Sequence, residues 1–338
     1  MSTVLSILLT LLIFDIMVVC HEAGHLFTAK ALGIPATEFS VGMGPAIFSK
    51  KIKSGLRLSF RAIPFGGYVA FGDGENDYLW DQKPWKKILT CLAGPVVNIL
   101  LGFLSMLLLV SLTMPATNIV GGFREDAVSC NYGLEVGDEI VRVNHTSVHT
   151  GYDVNYEIFN QGYEPLDLTV RRNGEKIVLE DVAFMTETEE GIVFGVNDLK
   201  MLAATDSFGT VISQTFWRSV STVKRVYDSL WALITGRYGL DSVSGIVGVS
   251  STVKEAVSYG FAELLYLFSV LTINLGVMNL LPIPALDGGQ ILFSIIEIVT
   301  RRSMKKEIVE KINRVMISLL LALMLLITCK DFFAVFQK

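Results

Sequence analysis

The string His21-Glu22-Ala23-Gly24-His25 carries the clearest chemistry in this chain. On a helix, side chains four residues apart lie on one face, so both imidazoles can meet one tetrahedral ion. Glu22, beside the first imidazole, then reaches a water on that ion and serves as its general base. By ordinary residue frequencies, H-E-x-x-H arises by chance in about 1% of chains of this length. The surroundings sharpen the signal, because Thr3 to Cys20 carries no charge apart from Asp15 and the helical pattern continues to about Leu32. A charged side chain near the middle of a bilayer costs ~3 kcal/mol. Glu22 and two imidazoles in such a run therefore imply a role, the competing reading being a polar cluster that bonds neighbouring helices.

A catalytic zinc takes three protein ligands and keeps a position open for water. The remaining histidines, His145 and His149, fall in an extramembrane block, which leaves Asp287 as the best third ligand. It lies in the segment Asn279-Leu280-Leu281-Pro282-Ile283-Pro284-Ala285-Leu286-Asp287-Gly288-Gly289. Pro282 and Pro284 break a helix just before the carboxylate, so that it faces a polar cavity. The alternative is an ordinary helix-ending turn at Asp-Gly-Gly.

The elements that must position these groups are membrane spans. Half of the 338 residues are hydrophobic and 18% are charged, against about 25% in soluble domains, and mean hydropathy is positive. The net charge of −5 excludes a basic nucleic-acid footprint. Cys20, Cys91, Cys130 and Cys329 are scattered, with neither a disulfide framework nor a CxxC pair. The first apolar run outlasts a signal-peptide core and reads as a retained span. Further spans are predicted at about 88–112, at 264–286 and, extended by its flanks, at Val315–Cys329. The fold class is thus an α-helical polytopic membrane protein of about four transmembrane helices, with a membrane-associated β-hairpin and an inserted β-rich domain.

Charge sets the expected topology. Residues 29–87 carry nine Lys/Arg against five Asp/Glu, residues 297–314 six against three, and residues 114–200 six against sixteen. Basic short loops stay in the cytoplasm, which puts the acidic block and both termini outside. Spans one and three then run in the same direction, and His21–His25 and Asp287 end them at similar depth, towards the cytoplasmic leaflet.

Four regions follow. Residues 1–113 hold the first two spans and a cytoplasmic-side hairpin at about 37–72. Its strands are expected at Ala46–Ile52 and Leu56–Ala62 around Lys53-Ser54-Gly55, with glycine-rich corners at Gly42–Pro45 and Pro64–Tyr68. Residues 115–185 form the β-rich domain, with Glu139–Val143, Leu166–Val170 and Lys176–Leu179 as strands and Asn173-Gly174 as a hairpin turn. Residues 201–257 form an amphipathic helical segment, its stripe running through Ile212, Phe216, Val220, Val223, Tyr227, Leu230 and Ile234, and lying either on the outer membrane face or against the outer domain. Residues 258–338 hold the last two spans.

Together, H-E-x-x-H in span one, Ala93-Gly94-Pro95-x-x-Asn98 in span two, Asn279-x-x-Pro282-x-Pro284-x-Leu286-Asp287-Gly288 in span three and Gly133-Leu134-x-x-Gly137-Asp138-x-Ile140-x-x-Val143-Asn144 in the outer block resemble the site-2 proteases. The arrangement is similar to RseP-type regulators with one PDZ-like domain, and the likeness covers nearly the whole chain. It implies Zn2+ held by His21, His25 and Asp287, with Glu22 as general base. It further implies cleavage of single-span membrane proteins in or near the bilayer of the bacterial inner membrane, after an upstream site-1-type protease has trimmed them. An anti-sigma factor or a leftover signal peptide would be such a substrate. Asn279 and Asn98 are candidate substrate-binding residues, or else interhelical hydrogen-bonding groups. A zinc transporter would show further polar spans or inverted repeats, and a membrane scaffold would not need Glu22.

Overall fold

A computed structural model describes residues 3–53, 55–73, 77–189, 192–205, 207–237, 239, 243 and 245–336, so Ser54 of the expected turn lies outside the described residues. In chain order the elements are α1 (Thr3–Ala31), β1 (Glu38–Lys51), β2 (Arg57–Ala70), α2 (Pro84–Leu112), β3 (Ala116–Phe123), β4 (Glu139–Val143), β5 (Thr146–Ser147), α3 (Gly151–Gln161), β6 (Leu166–Arg172) and β7 (Glu175–Val182). Then follow β8 (Met185–Glu189), β9 (Ile192–Val196), β10 (Leu199–Ala203), α4 (Phe208–Ile234), α5 (Ile246–Tyr259), α6 (Phe261–Leu280), α7 (Asp287–Thr300) and α8 (Lys306–Phe336). Among the described residues, four helical stretches are long and apolar enough to cross a membrane: Val4–Ala31, Pro84–Leu112, Phe261–Leu280 and Lys306–Lys330. The chain forms two compact units, Met1–Ser105 with Thr222–Lys338, and Met106–Ser221.

In the first unit, small residues let the helices meet backbone to backbone, the usual device where lipid removes any hydrophobic drive for helix association. A Cβ on Gly24 of α1 would stand 2.7 Å from the Ala93 carbonyl oxygen of α2, and one on Gly276 of α6 would stand 2.9 Å from that of Pro95. These approaches hold α2 tightly against both α1 and α6. A separate apolar cluster joins Ile13 and Met17 of α1 to Val253 of α5, with Leu267 and Leu271 of α6 around it. Between Leu280 and Asp287 the chain is irregular, as Pro282 and Pro284 require.

The expected 37–72 hairpin is a more folded object. Each long strand bends sharply, β1 at Gly42 and Gly44 and β2 at Gly66, all with φ near +83°, a conformation open mainly to glycine. The halves then pair twice. Ser49, Lys50 and Lys51 pair antiparallel with Ser59, Leu58 and Arg57. Phe39 and Ser40 pair with Leu58 and Ser59 on one side and with Val69 and Tyr68 on the other. The resulting order is 46–51, 57–61, 38–41, 67–70. Arg61 ties the bends together by donating to Glu38 Oε1 at 2.7 Å, Ser40 Oγ at 2.9 Å, the Gly44 carbonyl at 2.6 Å and the Tyr68 hydroxyl.

The second unit is β-rich. Its main sheet runs β10-β3-β4-β6-β7, with β5 on β4, and β8 and β9 form a separate hairpin. The expected limit at 185 is too short, because Leu199 of β10 pairs with Phe123 of β3. Period-2 burial in Leu166, Leu168 and Val170 of β6 builds the core with Val120, Ile140, Val143, Val154 and Ile158. Asn173 and Gly174 both take positive φ between the paired Arg172 and Glu175, as a two-residue hairpin turn demands.

Candidate metal centre

His21 and His25 sit one turn apart on α1, both nearly buried. Asp287 begins α7, where its charge suits the positive end of a helix. It is brought there because α7 starts almost on top of the end of α6. A Cβ on Gly288 would stand 2.2 Å from the Leu281 carbonyl oxygen, and one on Gly289 would stand 2.3 Å from that of Ile283, so the Gly288-Gly289 pair is what allows the turn. The turn also holds Ala285 at φ +75°, fixed by its N–H donating to Asn313 Oδ1 at 3.0 Å.

Across 266 residues of sequence, the Asp287 carboxylate meets both rings, with Oδ2 at 2.9 Å from His21 Nε2 and Oδ1 at 3.4 Å from His25 Nε2. His21, His25 and Asp287 are the group among the described residues whose ligand atoms lie within 4.8 Å of one another. Two nitrogens and one oxygen are the donor set of an open catalytic zinc site. The space fits as well. A Cβ on Gly94 of α2 would stand 2.4 Å from His25 Nε2 and 2.7 Å from His21 Nε2, so glycine leaves clear the volume next to both donor atoms. Outer contacts orient the rings: His25 Nδ1–H donates to the Thr90 carbonyl at 2.7 Å, and the Asn98 amide lies 3.3 Å from His21 Nδ1.

Glu22 faces the same space, and its Oε2 accepts the Val69 N–H of β2 at 3.0 Å. The centre opens into a cavity of about 820 Å³ whose wall includes Glu22, Tyr68, Val69, Asn279 and Gln290. Asn279 thus stands on the cavity wall, half-buried at the end of α6. Asn98 has no exposed surface, and its amide touches the His21 ring. His145 and His149 belong to the β-rich unit, where His149 stacks on Trp217 at 3.5 Å between centroids. Sequence reasoning missed the Thr90 carbonyl and the Val69 N–H, since backbone groups leave no residue signature. Gly94 was in view as part of a motif, and a glycine inside a span does signal close approach.

The sequence profile of peptidase family M50 matches residues 9–323. A candidate zinc metalloprotease of Clostridium acetobutylicum is 31% identical over 337 residues, covering 96% of this chain and 97% of its own. One from Clostridium perfringens is 30% identical over 335 residues, covering 96% and 98%. The zinc metalloprotease RasP of Shouchella clausii is 26% identical over 426 residues, covering 98% and 100%. Three side chains spaced to hold a metal ion, a carboxylate beside them and a match along nearly the whole chain agree: the protein belongs to peptidase family M50, the site-2 protease family of membrane zinc metalloproteases.

Proposed function

We propose that this protein is an intramembrane endopeptidase that cleaves single-span membrane proteins, with His21, His25 and Asp287 as metal ligands and Glu22 as general base. The observation that carries this reading is the position of Glu22, held by a strand-edge N–H beside the metal triad. When bound, zinc lowers the pKa of a coordinated water to about 7 and polarises the scissile carbonyl. Glu22 takes the water's proton and delivers it to the leaving amine.

A helical substrate hides its carbonyls in i→i−4 hydrogen bonds, so it must unwind before attack. We place the receiving edge at 67–70. In the observed order, 57–61 is interior and 67–70 is the edge that touches Glu22. Backbone groups alternate in direction along a strand. The Ala70 carbonyl turns inward to the Thr37 N–H at 2.8 Å, while Val69 turns outward, so Gly67 and Val69 present their carbonyls to an added strand. Asn279 on the cavity wall binds the substrate backbone, and Asn279→Ala is expected to slow cleavage of a helical reporter more than that of a flexible peptide.

We read the β-rich unit as PDZ-like, from the Gly133–Asn144 pattern and the packing of α3 on β9 through stacked Phe159 and Phe194. The charge bias puts it and both termini outside the bacterial inner membrane and the metal centre towards the cytoplasmic leaflet, acting after an upstream protease. The decisive test is Glu22→Gln in the full-length protein. Bound zinc is expected to stay at one per chain while cleavage falls about 10²–10⁴-fold; undiminished cleavage would overturn the assignment.

A further inference from the structure

α2 gives the centre no ligand, yet one of its faces meets both ligand rings. Thr90, Gly94 and Asn98 recur every four residues and share that face. The Thr90 carbonyl accepts His25 Nδ1–H at 2.7 Å, the Asn98 amide lies 3.3 Å from His21 Nδ1, and Gly94 between them leaves space where a Cβ would stand 2.4 Å and 2.7 Å from the two Nε2 atoms. Such separations are little longer than a Zn–N bond of about 2.0–2.1 Å, so a methyl group would occupy the volume an ion needs.

We propose that Asn98 is a positioning residue that fixes His21 as an Nε2 ligand, with Thr90 doing the same for His25 and Gly94 keeping the ion's place open. This rests on the metal reading of the triad. An imidazole ligating through Nε2 keeps its one proton on Nδ1, and that N–H needs an acceptor. His25 has an invariant one, because a backbone carbonyl can only accept. His21 faces an amide, which offers a donor at one end and an acceptor at the other. The amide oxygen of Asn98 is buried and has no hydrogen-bond partner among the described residues. Turning the amide end for end brings that oxygen to His21 Nδ1–H and satisfies both atoms in one step. A side chain with no exposed surface is poorly placed to hold substrate, so the outer contact to His21 replaces the substrate role expected from sequence.

The test uses the purified full-length protein, titrated with a zinc chelator of known affinity, and the absorption spectrum of its Co2+-substituted form. Asn98→Ala is expected to weaken metal binding about 10–100-fold and to alter the Co2+ spectrum. Asn98→Asp keeps an acceptor and is expected to hold zinc at least as tightly as the wild type. Gly94→Ala is expected to lose the metal with all three ligands intact. Wild-type zinc affinity in Asn98→Ala would overturn the proposal, and a raised KM with normal zinc would return Asn98 to the substrate. If Asn98→Ala does not accumulate, Asn98→Asp decides alone, since easier loss of zinc from it than from the wild type would overturn the assignment. Wild-type protein without bound zinc would sink the metal centre itself, a failure distinct from that of Asn98.

Discussion

Two carboxylates, one in each unit, are held by the same device in opposite settings. In the membrane unit, Glu297 accepts the Met304 N–H at 3.0 Å and the Lys87 ammonium at 3.0 Å. In the β-rich unit, Asp138 accepts the Glu135 N–H at 2.9 Å and two contacts from Arg172 at 2.7 Å. Around Asp138 the rule of a soluble domain holds: apolar side chains turn inward, and buried polar groups serve the backbone. Asp198, for instance, accepts the N–H groups of Val128 and Ser129. The membrane unit departs from that rule at the surface and at the site, with Leu319, Leu321, Leu323 and Leu325 of α8 exposed and His21 and His25 inside. The dry interior is where polar groups must be paired. One unit uses them there for scaffolding, and the other collects them into a site.

That contrast breaks most visibly at Lys87, which also lies over the Trp80 ring. Removing one partner of a buried pair leaves an uncompensated charge, so Lys87→Ala is expected to cost about 3–5 kcal/mol, read as a lower thermal transition in detergent. The pair Lys87→Met with Glu297→Gln removes both charges, keeps an acceptor for Met304, and is expected to recover most of that loss. Next comes apolar truncation. Ile140→Ala in the β-rich core is expected to cost about 2–5 kcal/mol, whereas Leu321→Ala on the exposed face of α8 should cost less than about 1 kcal/mol, because lipid solvates the site in either case. Equal losses would mean that α8 is packed against protein.

The smallest effect is set by pH. Burial alone would raise the Asp138 carboxyl, but Arg172 and the Glu135 N–H outweigh it and hold the group below its ordinary value. A carboxyl lowered in the folded state contributes stability that is complete above its unfolded pKa, about 3.9, and is lost as pH falls through the folded value. Amide exchange in β4 and β6 is therefore expected to quicken below about pH 4. Arg172→Ala should flatten that acid response, with only a small loss of stability at neutral pH because the guanidinium is partly exposed.

Groups recognised by type and period were legible in the sequence. H-E-x-x-H needs only helical spacing, the apolar runs mark spans, and the Pro-x-Pro before Asp287 announces a break. The Asn173-Gly174 turn and the alternation in β6 were equally plain. The sheet of β1 and β2 was read as one hairpin, because pattern reveals strands but not that glycine bends let each half pair with two neighbours. β10 was missed because it joins β3 across 75 intervening residues, from Ala203 back to Leu199 against Ala116 to Phe123. Asn98 was visible as a polar residue in a span, but its contact with the His21 ring is seen only in the geometry.

The distance in sequence between His25 and Asp287 has a consequence for how the protein is made. Synthesis runs from the N-terminus, so α1 and α2 enter the membrane long before α6 and α7 exist. Two of the three proposed ligands, His21 and His25, then wait for a carboxylate made 262 residues after His25. The centre closes only when the break after α6 folds α7 back beside α1. On the proposed ligand set, a nascent chain halted anywhere before Asp287 is inert as a protease, and activity comes only once α7 has joined α1.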